Sequence, residues 1–242
     1  MAELTILHTS DLHNRLTTSM SESLCHIRES LGVDLMLDSG DAIGAGNIFW
    51  WPWGEPILRK MLATGYDAMC LGNREFHFSS VGLRSKLSRA VFPVVCANIR
   101  SKANGGRMPV EPYEVFSVLG GNIAVFGLTV PCITKQMFVS NIASHYFIDP
   151  VDAASELVPE LRKSSDFVIA LTHIGMQEDR RLAEAVGGID LILGGHSHEV
   201  TSEPVSVNGT LIAHHGSRGA LAGLIEVNAG SISHRLIETG GQ

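Results

Sequence analysis

Cysteine, positive charge and long apolar stretches are all scarce in this chain of 242 residues. The four cysteines are widely separated and form no C-x-x-C pair, which favours buried free thiols over disulfides or a thiolate zinc site. Lysine and arginine number 18 against 25 aspartates and glutamates, and a net charge of −7 argues against a general nucleic-acid-binding protein. No apolar stretch reaches the length of a membrane span. We therefore expect neither a nucleic-acid polymer nor a membrane as a partner.

The amino terminus also lacks a targeting signal of the usual kind. "MAELTILHTSD" has no basic region followed by an apolar one, so the sequence predicts a cytoplasmic protein without a signal peptide. Hydrophobic residues make up 45% and charged residues 18% of the chain, which is typical of a globular protein with an ample core. Because no repeat, low-complexity segment or linker interrupts the chain, residues 1–242 are predicted to form a single domain.

Short apolar runs recur along the chain, with helical patterns between several of them. The runs are continuous over four to six residues rather than alternating, which is typical of strands buried on both faces. Residues 18–31 place Met20, Leu24, Ile27 and Leu31 on one face of a helix. Alternation of strands and helices predicts an α/β fold, and after residue 210 the pattern predicts strands without a helix.

Five of the apolar runs end in side chains that suit a metal ion. These side chains are Asp11 and His13, Asp41, Asn73, His173, and His196 and His198. In α/β sheets, ligand sites form where the chain leaves the carboxyl ends of strands, so the five turns are expected to meet. Within each pair the spacing is i, i+2, which places both side chains on one face where the backbone is extended.

The number and chemistry of these seven side chains indicate more than one metal ion. A single tetrahedral zinc takes three or four protein ligands, whereas two ions that share a bridging carboxylate would use all seven. Carboxylate, amide and imidazole donors without a thiolate favour Mn²⁺, Fe or Zn²⁺. Two dications, less Asp11, Asp41 and a hydroxide, leave about one positive charge to face an anionic substrate. Sites of this type typically support displacement at phosphorus.

The motifs "DLH", "GD", "GNRE", "TH" and "GGHSH", in this order, resemble those of the calcineurin-like metallophosphoesterases. Longer stretches, including "HTSDLHNRL" and "GEPILRKMLATGYDAMCLGNREF", look like the catalytic domain of the 5′-nucleotidase/UDP-sugar hydrolase branch. The resemblance implies a four-layer α/β/β/α sandwich with two facing mixed sheets. It also implies a two-metal phosphohydrolase that cleaves a phosphomonoester through attack of a metal-bound hydroxide at phosphorus.

The same resemblance assigns the metal ligands position by position. It implies that Asp11, His13 and His198 bind one ion, that Asn73, His173 and His196 bind the other, and that Asp41 bridges them. The two ions would be Mn, Fe or Zn, and the substrate a small phosphorylated molecule. The branch usually carries a further domain that binds the base and sugar of nucleotides. Because 242 residues leave no room for one, the substrate is expected to be a nucleotide or another small phosphate ester.

The chain departs from this branch at the turn "GNRE", where the family usually has a histidine in place of Arg74. That histidine helps to protonate the leaving group, whereas a guanidinium offers a permanent positive charge and a fork that matches phosphate oxygens. His77 could restore proton transfer, and it could equally be a loop histidine or a partner that supports a ligand. Arg74 and His77 are therefore the candidate catalytic residues.

Two readings of function compete with the phosphomonoesterase. Arg74 is compatible with a metal-binding scaffold or sensor of weak activity, and a phosphodiesterase is the third possibility. The aromatic segment "NIFWWPWGEP" (47–56) could form a wall for a substrate, a self-association surface or ordinary loop packing. The basic stretch "LRSKLSRAVF" is interpreted as a solvated helix face.

Overall fold

The computed structural model describes residues 4–102, 108–118, 120–228 and 231–240. Its strands are β1 (Leu4–Thr9), β2 (Leu35–Asp38), β3 (Ala68–Cys70), β4 (Val94–Val95), β5 (Ile99–Ser101), β6 (Tyr113–Val118), β7 (Gly121–Thr129), β8 (His145–Phe147), β9 (Phe167–His173), β10 (Leu191–Gly194), β11 (Val205–Val207), β12 (Thr210–His214), β13 (Leu221–Asn228) and β14 (Ser231–Glu238). Its α-helices are α1 (Thr18–Leu31), α2 (Pro56–Thr64), α3 (Ser80–Leu87), α4 (Pro150–Leu161) and α5 (Met176–Ala185), and a 3₁₀ helix spans Phe138–Asn141. Within the described ranges, none of the helices combines the length and apolar character that a membrane span requires.

The strands form two six-stranded mixed sheets and one short pair. The first sheet has the order β14-β13-β1-β2-β3-β4, and the second has the order β11-β12-β10-β9-β7-β6. In the first sheet β1 to β4 run parallel, while β13 is antiparallel to both β1 and β14. In the second sheet β12, β10, β9 and β7 run parallel, with β11 and β6 antiparallel at the edges. The predicted α/β class with two mixed sheets is confirmed.

Neighbouring residues of the central strands point into different layers. Ile6 lies in the core between the two sheets, whereas Leu7 lies in the core that covers the outer face of the first sheet. Helices α1, α2 and α3 contribute to that outer core, and α4 and α5 cover the outer face of the second sheet. Strands covered on both faces explain why the apolar runs are continuous, and the layers follow the predicted α/β/β/α order.

The helix ends follow the predicted chemistry at the positions where the sequence is informative. Helix α1 begins after Thr17, whose side chain accepts a hydrogen bond from the Met20 N–H, and it ends at Gly32 in the left-handed region. Helix α2 begins at Pro56 and ends at Gly65, also left-handed. Helix α4 was expected to kink at Pro159, and this proline lies two residues before its last residue, Leu161.

Three imidazoles form a hydrogen-bonded stack that links the two sheets beneath the predicted site. The Ser39 hydroxyl donates to the Leu193 carbonyl at 2.6 Å, so it accepts from His8 Nε2–H at 2.8 Å. His8 Nδ1 is then unprotonated and accepts from His215 Nδ1–H. The unprotonated His215 Nε2 in turn accepts from His234 Nε2–H at 2.9 Å. The stack holds three neutral rings and fixes Ser39, the residue between β2 and Asp41.

The neutral stack predicts that the protein loses stability in mild acid. Burial lowers the pKa of His8 to about 3, and burial and the neighbouring His8 lower that of His215 well below its usual value. Below about pH 6.5 the unfolded chain binds protons that these folded rings do not, so the free energy of unfolding falls with pH. We expect each ring to contribute a loss of about 1.3 kcal/mol between about pH 7.5 and pH 5.5.

The measurement is urea unfolding of chelator-treated protein across this pH range, for the wild type and His8→Asn. His8→Asn should reduce the loss by the share of one ring, whatever its effect on absolute stability. The matched control, His26→Asn, changes an exposed histidine of α1 and should leave the pH dependence as it is. An unchanged pH dependence in His8→Asn would contradict the assignment of His8 as a buried neutral ring.

Candidate metal centre

The turns that follow β1, β2, β3, β9 and β10 meet at one edge of the sandwich. The Asp11 N–H donates to the Gly40 carbonyl at 3.0 Å, and the His13 N–H donates to the Asp41 carbonyl at 2.9 Å. Across the two sheets, the His196 N–H donates to Asp11 Oδ2 at 2.9 Å, and His173 Nδ1–H donates to the Ser39 carbonyl at 2.8 Å. The carboxyl ends of the strands therefore converge as the α/β topology predicts.

All seven predicted ligands take part in this convergence. Two groups of donor atoms lie within 4.8 Å of one another: Asp11 with His13 and His198, and Asp11 with Asp41 and His173. His173 Nε2 also lies 3.2 Å from Asn73 Oδ1, and the rings of His173 and His196 are 5.0 Å apart between centroids. Asp11 belongs to both groups, whereas the resemblance assigns the bridging role to Asp41, and that assignment stays a prediction.

The protonation of His173 shows that a cation fits between these groups. Because Nδ1–H donates to the Ser39 carbonyl, Nε2 of the neutral ring carries a lone pair. That lone pair faces Asn73 Oδ1 at 3.2 Å and Asp41 Oδ1 at 3.4 Å. Three electron-rich atoms thus point at one another without a proton between them, which is unfavourable until a cation binds. The fixed tautomer is also the one that metal-ligating histidines adopt.

The second group has the same character. Asp11 Oδ1 is buried and accepts no hydrogen bond, although His198 Nε2 lies 3.2 Å away and His13 Nε2 lies 3.8 Å away. His13 Nε2 and His198 Nε2 are themselves 3.0 Å apart. A buried carboxylate oxygen without a hydrogen bond is costly, and a divalent ion would supply its missing partner. The mixed oxygen and nitrogen donors match the predicted metals.

Burial sets the charge state of the ligand side chains. It lowers the pKa of His173 to about 3, and burial together with Arg74 lowers that of His13 to about 4, so both rings are neutral at neutral pH. Burial, with a smaller contribution from Asp41, raises the pKa of Asp11 to about 7. Neutral imidazoles are the form that binds metal ions, and the raised pKa of Asp11 reflects a carboxylate placed in apolar surroundings without a compensating cation.

The ligands reach the site through left-handed backbone rather than through extended strands. Five of the eight non-glycine residues with positive φ in the described part of the chain are predicted ligands: Asp11, His13, Asp41, His196 and His198, with φ between 46° and 75°. The expectation that i, i+2 spacing on an extended chain aligns the pairs is therefore wrong in its mechanism. Tight turns align them, and such backbone strain is concentrated at functional sites.

Two glycines allow these turns to pack against each other. A Cβ atom at Gly72 would lie 2.2 Å from the Asp41 backbone nitrogen, and one at Gly40 would lie 2.6 Å from the Gly72 nitrogen. No side chain fits at either position. The close approach of the two backbones is what brings Asp41 next to the turn that carries Asn73 and Arg74.

Arg74 lies at the site, and His77 does not reach it. The Arg74 N–H donates to Asp41 Oδ1 at 2.7 Å, and its Nε lies 3.3 Å from Asp41 Oδ2. His77 is buried, and both of its ring nitrogens are occupied: Nε2–H donates to the Ile48 carbonyl at 3.1 Å, and Nδ1 accepts from the Ser79 N–H at 3.0 Å. His77 therefore supports the loop around Ile48, and the structure gives it no proton-transfer role.

Glu75 is a site residue that sequence analysis left without a role. Its carboxylate is fully buried and accepts three backbone hydrogen bonds, from the N–H groups of Asp41, Gly72 and Ile43, at 2.9, 2.9 and 3.0 Å. It thereby joins the turn after β2 to the turn after β3. Burial and the charge of Asp41 raise its pKa to about 7. A carboxylate inside an otherwise apolar turn motif was the available signal.

Lys86 is a second such residue, and its expected position was wrong. The stretch around it was interpreted as a solvated basic helix face, but Lys86 is fully buried. Its ammonium donates to the carbonyls of Gly46, Arg74 and Phe76 at 2.8, 2.5 and 3.2 Å. Lys86 shares its helix face with Leu83 and Leu87, so helical spacing carried the signal.

Comparison with known proteins agrees with this geometry. Residues 4–200 match the family model of the calcineurin-like phosphoesterases. A 5′-nucleotidase of Vibrio cholerae is 34% identical over 234 residues, covering 86% of this chain and 41% of its own length. A 5′-nucleotidase of Rattus norvegicus is also 34% identical, with 81% and 38% covered. The chain thus spans about two fifths of the length of these relatives.

Solved structures show the same fold. The crystal structure of a 5′-nucleotidase precursor from Thermus thermophilus superposes with a TM-score of 0.84 at 26% identity, covering 98% of this chain and 54% of that one. The family matched by the model uses divalent metal ions, and the turns described above supply residues that could hold them.

The role of Glu75 predicts that Glu75→Gln weakens metal binding without removing a ligand. The glutamine places an amide NH₂ against at least one backbone N–H, so the turns that carry Asp41 and Asn73 lose their alignment. We expect Mn²⁺ affinity to fall by about 10- to 100-fold, as for other residues that orient metal ligands. Competition with a chromophoric chelator measures this affinity.

The matched control for that experiment is Glu29→Gln, which changes an exposed glutamate of α1. It should retain wild-type Mn²⁺ affinity. Unaltered affinity in Glu75→Gln would show that the turns are held in place without this carboxylate.

Proposed function

The chain belongs to the calcineurin-like phosphoesterase family, and from this premise we propose that it hydrolyses a small phosphomonoester, with 5′-nucleotides as the first candidates. The proposed centre holds two divalent ions through Asp11, His13, Asp41, Asn73, His173, His196 and His198. The observation that carries the proposal is the convergence of His173 Nε2 with oxygens of Asn73 and Asp41. Two ions in such a site would supply positive charge to the phosphoryl oxygens and activate water for in-line displacement.

The chain's own residues orient this chemistry. Ser39 and the histidine stack fix the His173 tautomer, while Glu75 fixes Asp41 and the turn of Asn73. Arg74 presents a permanent cation beside Asp41, where its guanidinium can hold two oxygens of a phosphate. A phosphomonoester carries more negative charge than a diester, so the added cation favours the monoester. Comparing p-nitrophenyl phosphate with bis(p-nitrophenyl) phosphate separates the two activities.

Arg74 also limits which esters the enzyme cleaves well. A guanidinium does not release its proton near neutral pH, so it cannot protonate a leaving oxygen. His77 cannot do so either, because both ring nitrogens are engaged away from the site. Substrates with good leaving groups are therefore favoured. The same observation supports the second candidate function, a metal-binding scaffold of weak hydrolytic activity, for which two bound ions without turnover would be the signature.

Asp41→Asn tests the proposed centre. The substitution keeps the size of the side chain but removes the negative charge beside His173. We expect the metal content to fall from about two ions per chain to one or fewer, and turnover of p-nitrophenyl phosphate with Mn²⁺ to fall by at least about 100-fold. Elemental analysis and a colorimetric assay on the same sample provide the two readouts. Asp152→Asn, on the exposed first turn of α4, is the control. Full metal content and turnover in Asp41→Asn would exclude a bridging role for Asp41.

Arg74→His tests the absence of a proton donor. The variant should keep both metal ions, because no predicted ligand changes. It should gain most with alkyl esters, by up to about 10²–10⁴-fold relative to p-nitrophenyl phosphate, the usual range for general acid catalysis. The measurement is kcat/KM across esters of increasing leaving-group pKa. Arg59→His, on the exposed face of α2, is the control. An identical leaving-group dependence in Arg74→His and the wild type would place Arg74 outside the reacting phosphoryl group.

A further inference from the structure

The aromatic segment, defined here as residues 47–53, exposes several large apolar side chains together. Ile48, Phe49, Trp51 and Trp53 are 80%, 52%, 44% and 63% exposed. Phe49 packs edge-to-face on Trp51 with 4.9 Å between ring centroids, and Trp51 stacks on Trp53 at 6.0 Å. A contiguous group of exposed aromatic rings is unusual on a soluble surface and marks a site that binds something.

Side chains of the catalytic turn and of α3 fix the backbone leading into this segment. The carbonyls of Gly44, Gly46 and Ile48, at every second residue, accept hydrogen bonds at 3.0, 2.8 and 3.1 Å. The donors are Arg74 Nη1, Lys86 Nζ and His77 Nε2, respectively. The role left open for His77 is therefore to anchor this segment.

Two further anchors hold the far end of the segment. Ser85 Oγ donates to the Trp51 carbonyl at 2.6 Å, and Arg89 Nε donates to the Trp53 carbonyl at 2.6 Å. Five carbonyl groups between residues 44 and 53 are thus bound by side chains from residues 74 to 89. The backbone is held while the rings stay in water, which is not the arrangement of a loop that packs its aromatic residues inward.

One of these anchors is costly to the protein. Lys86 is fully buried, and an ammonium group removed from water is unfavourable unless several acceptors surround it. Its ammonium joins the Gly46 carbonyl to that of Arg74, so the aromatic segment and the catalytic turn move as one unit. Rigid placement of rings relative to Arg74 serves a ligand that contacts both.

The segment begins at the mouth of the metal centre. Arg74 donates to the Gly44 carbonyl while its Nε lies 3.3 Å from Asp41 Oδ2. A Cβ atom at Gly44 would lie 3.2 Å from the Cβ of Asn14, the residue after His13. A phosphate held at the centre therefore has this end of the segment beside it, and a group attached to the phosphate has the rings within its direction of growth.

We propose that the aromatic segment binds a planar aromatic ring carried by the phosphorylated substrate, either a nucleobase or an aryl group. This inference deepens the proposed function and rests on it. Stacking on Phe49, Trp51 and Trp53 uses the face of a ring and needs no particular hydrogen-bonding edge, so the site selects a ring rather than one base. Aromatic stacking of this kind typically strengthens binding by about 5- to 150-fold.

The experiment compares ligands that share a phosphate and differ in the ring. Inhibition constants against p-nitrophenyl phosphate hydrolysis are measured for adenosine 5′-monophosphate, phenyl phosphate and ribose 5-phosphate. We expect adenosine monophosphate to bind about 5- to 150-fold more tightly than ribose 5-phosphate. Tighter binding of phenyl phosphate as well would assign the site to rings in general, and its absence would assign the site to nucleobases. Equal inhibition constants for all three ligands would overturn the proposal.

Tryptophan fluorescence gives a readout that does not depend on activity. The three tryptophans of the chain, Trp50, Trp51 and Trp53, all lie in the aromatic segment, so their emission reports on this segment alone. Adenosine monophosphate should quench it and ribose 5-phosphate should not. Quenching without any hydrolysis of p-nitrophenyl phosphate would remove the proposed function but keep ring binding, whereas hydrolysis without quenching would remove ring binding alone.

Variants complete the test. Phe49→Ala and Trp51→Ala should each reduce the ratio of the two inhibition constants at least about fivefold. Phe138→Ala, which removes an 88% exposed ring from the 3₁₀ helix, is the matched control and should keep the wild-type ratio. A ratio that survives Trp51→Ala would overturn the proposal. A wild-type dimer that Trp51→Ala disperses, with equal inhibition constants, would instead identify the segment as a self-association surface.

Discussion

The structure depends on one unfavourable interaction, the convergence of electron-rich atoms that no proton separates. His173 Nε2 faces oxygens of Asn73 and Asp41, and a buried oxygen of Asp11 faces two imidazole nitrogens. Groups of like polarity do not gather in a low-dielectric interior on their own. Much of the surrounding architecture therefore acts to hold them: left-handed turns, glycines at backbone contacts, the Glu75 carboxylate and the histidine stack beneath Ser39.

The sequence was sufficient to predict the fold class and the set of residues that converge. Continuous apolar runs indicated strands covered on both faces, and polar residues at their ends indicated where the site would form, because both signals are local. How the ligands align was not predictable in the same way. Spacing of i, i+2 suggested extended backbone, but Asp11 and His13 both have positive φ, which depends on contacts with the turn of Asp41 from the neighbouring strand.

The roles of His8, His77 and Lys86 were hidden for a related reason. A histidine or lysine reads alike in sequence whether it is solvated or buried, and what distinguishes the two is a partner far along the chain. His8 meets His215, His77 meets the Ile48 carbonyl, and Lys86 meets carbonyls on two separate loops. Helical spacing placed Lys86 on the same face as two leucines, yet its charge outweighed that signal. Arg74 was different, because its departure from a known motif drew attention to it directly.

The ligands come from distant parts of the chain, and this separation affects how the protein is made. Asp11 and the His196 N–H are 185 residues apart, and His173 and Ser39 are 134 residues apart. During synthesis the early ligands Asp11, His13, Asp41 and Asn73 leave the ribosome long before their partners exist. Chains fold from the amino terminus as they emerge, and long-range contacts form late. A complete centre can therefore assemble only after His198 has emerged, which protects the nascent chain from trapping metal ions in a half-built site.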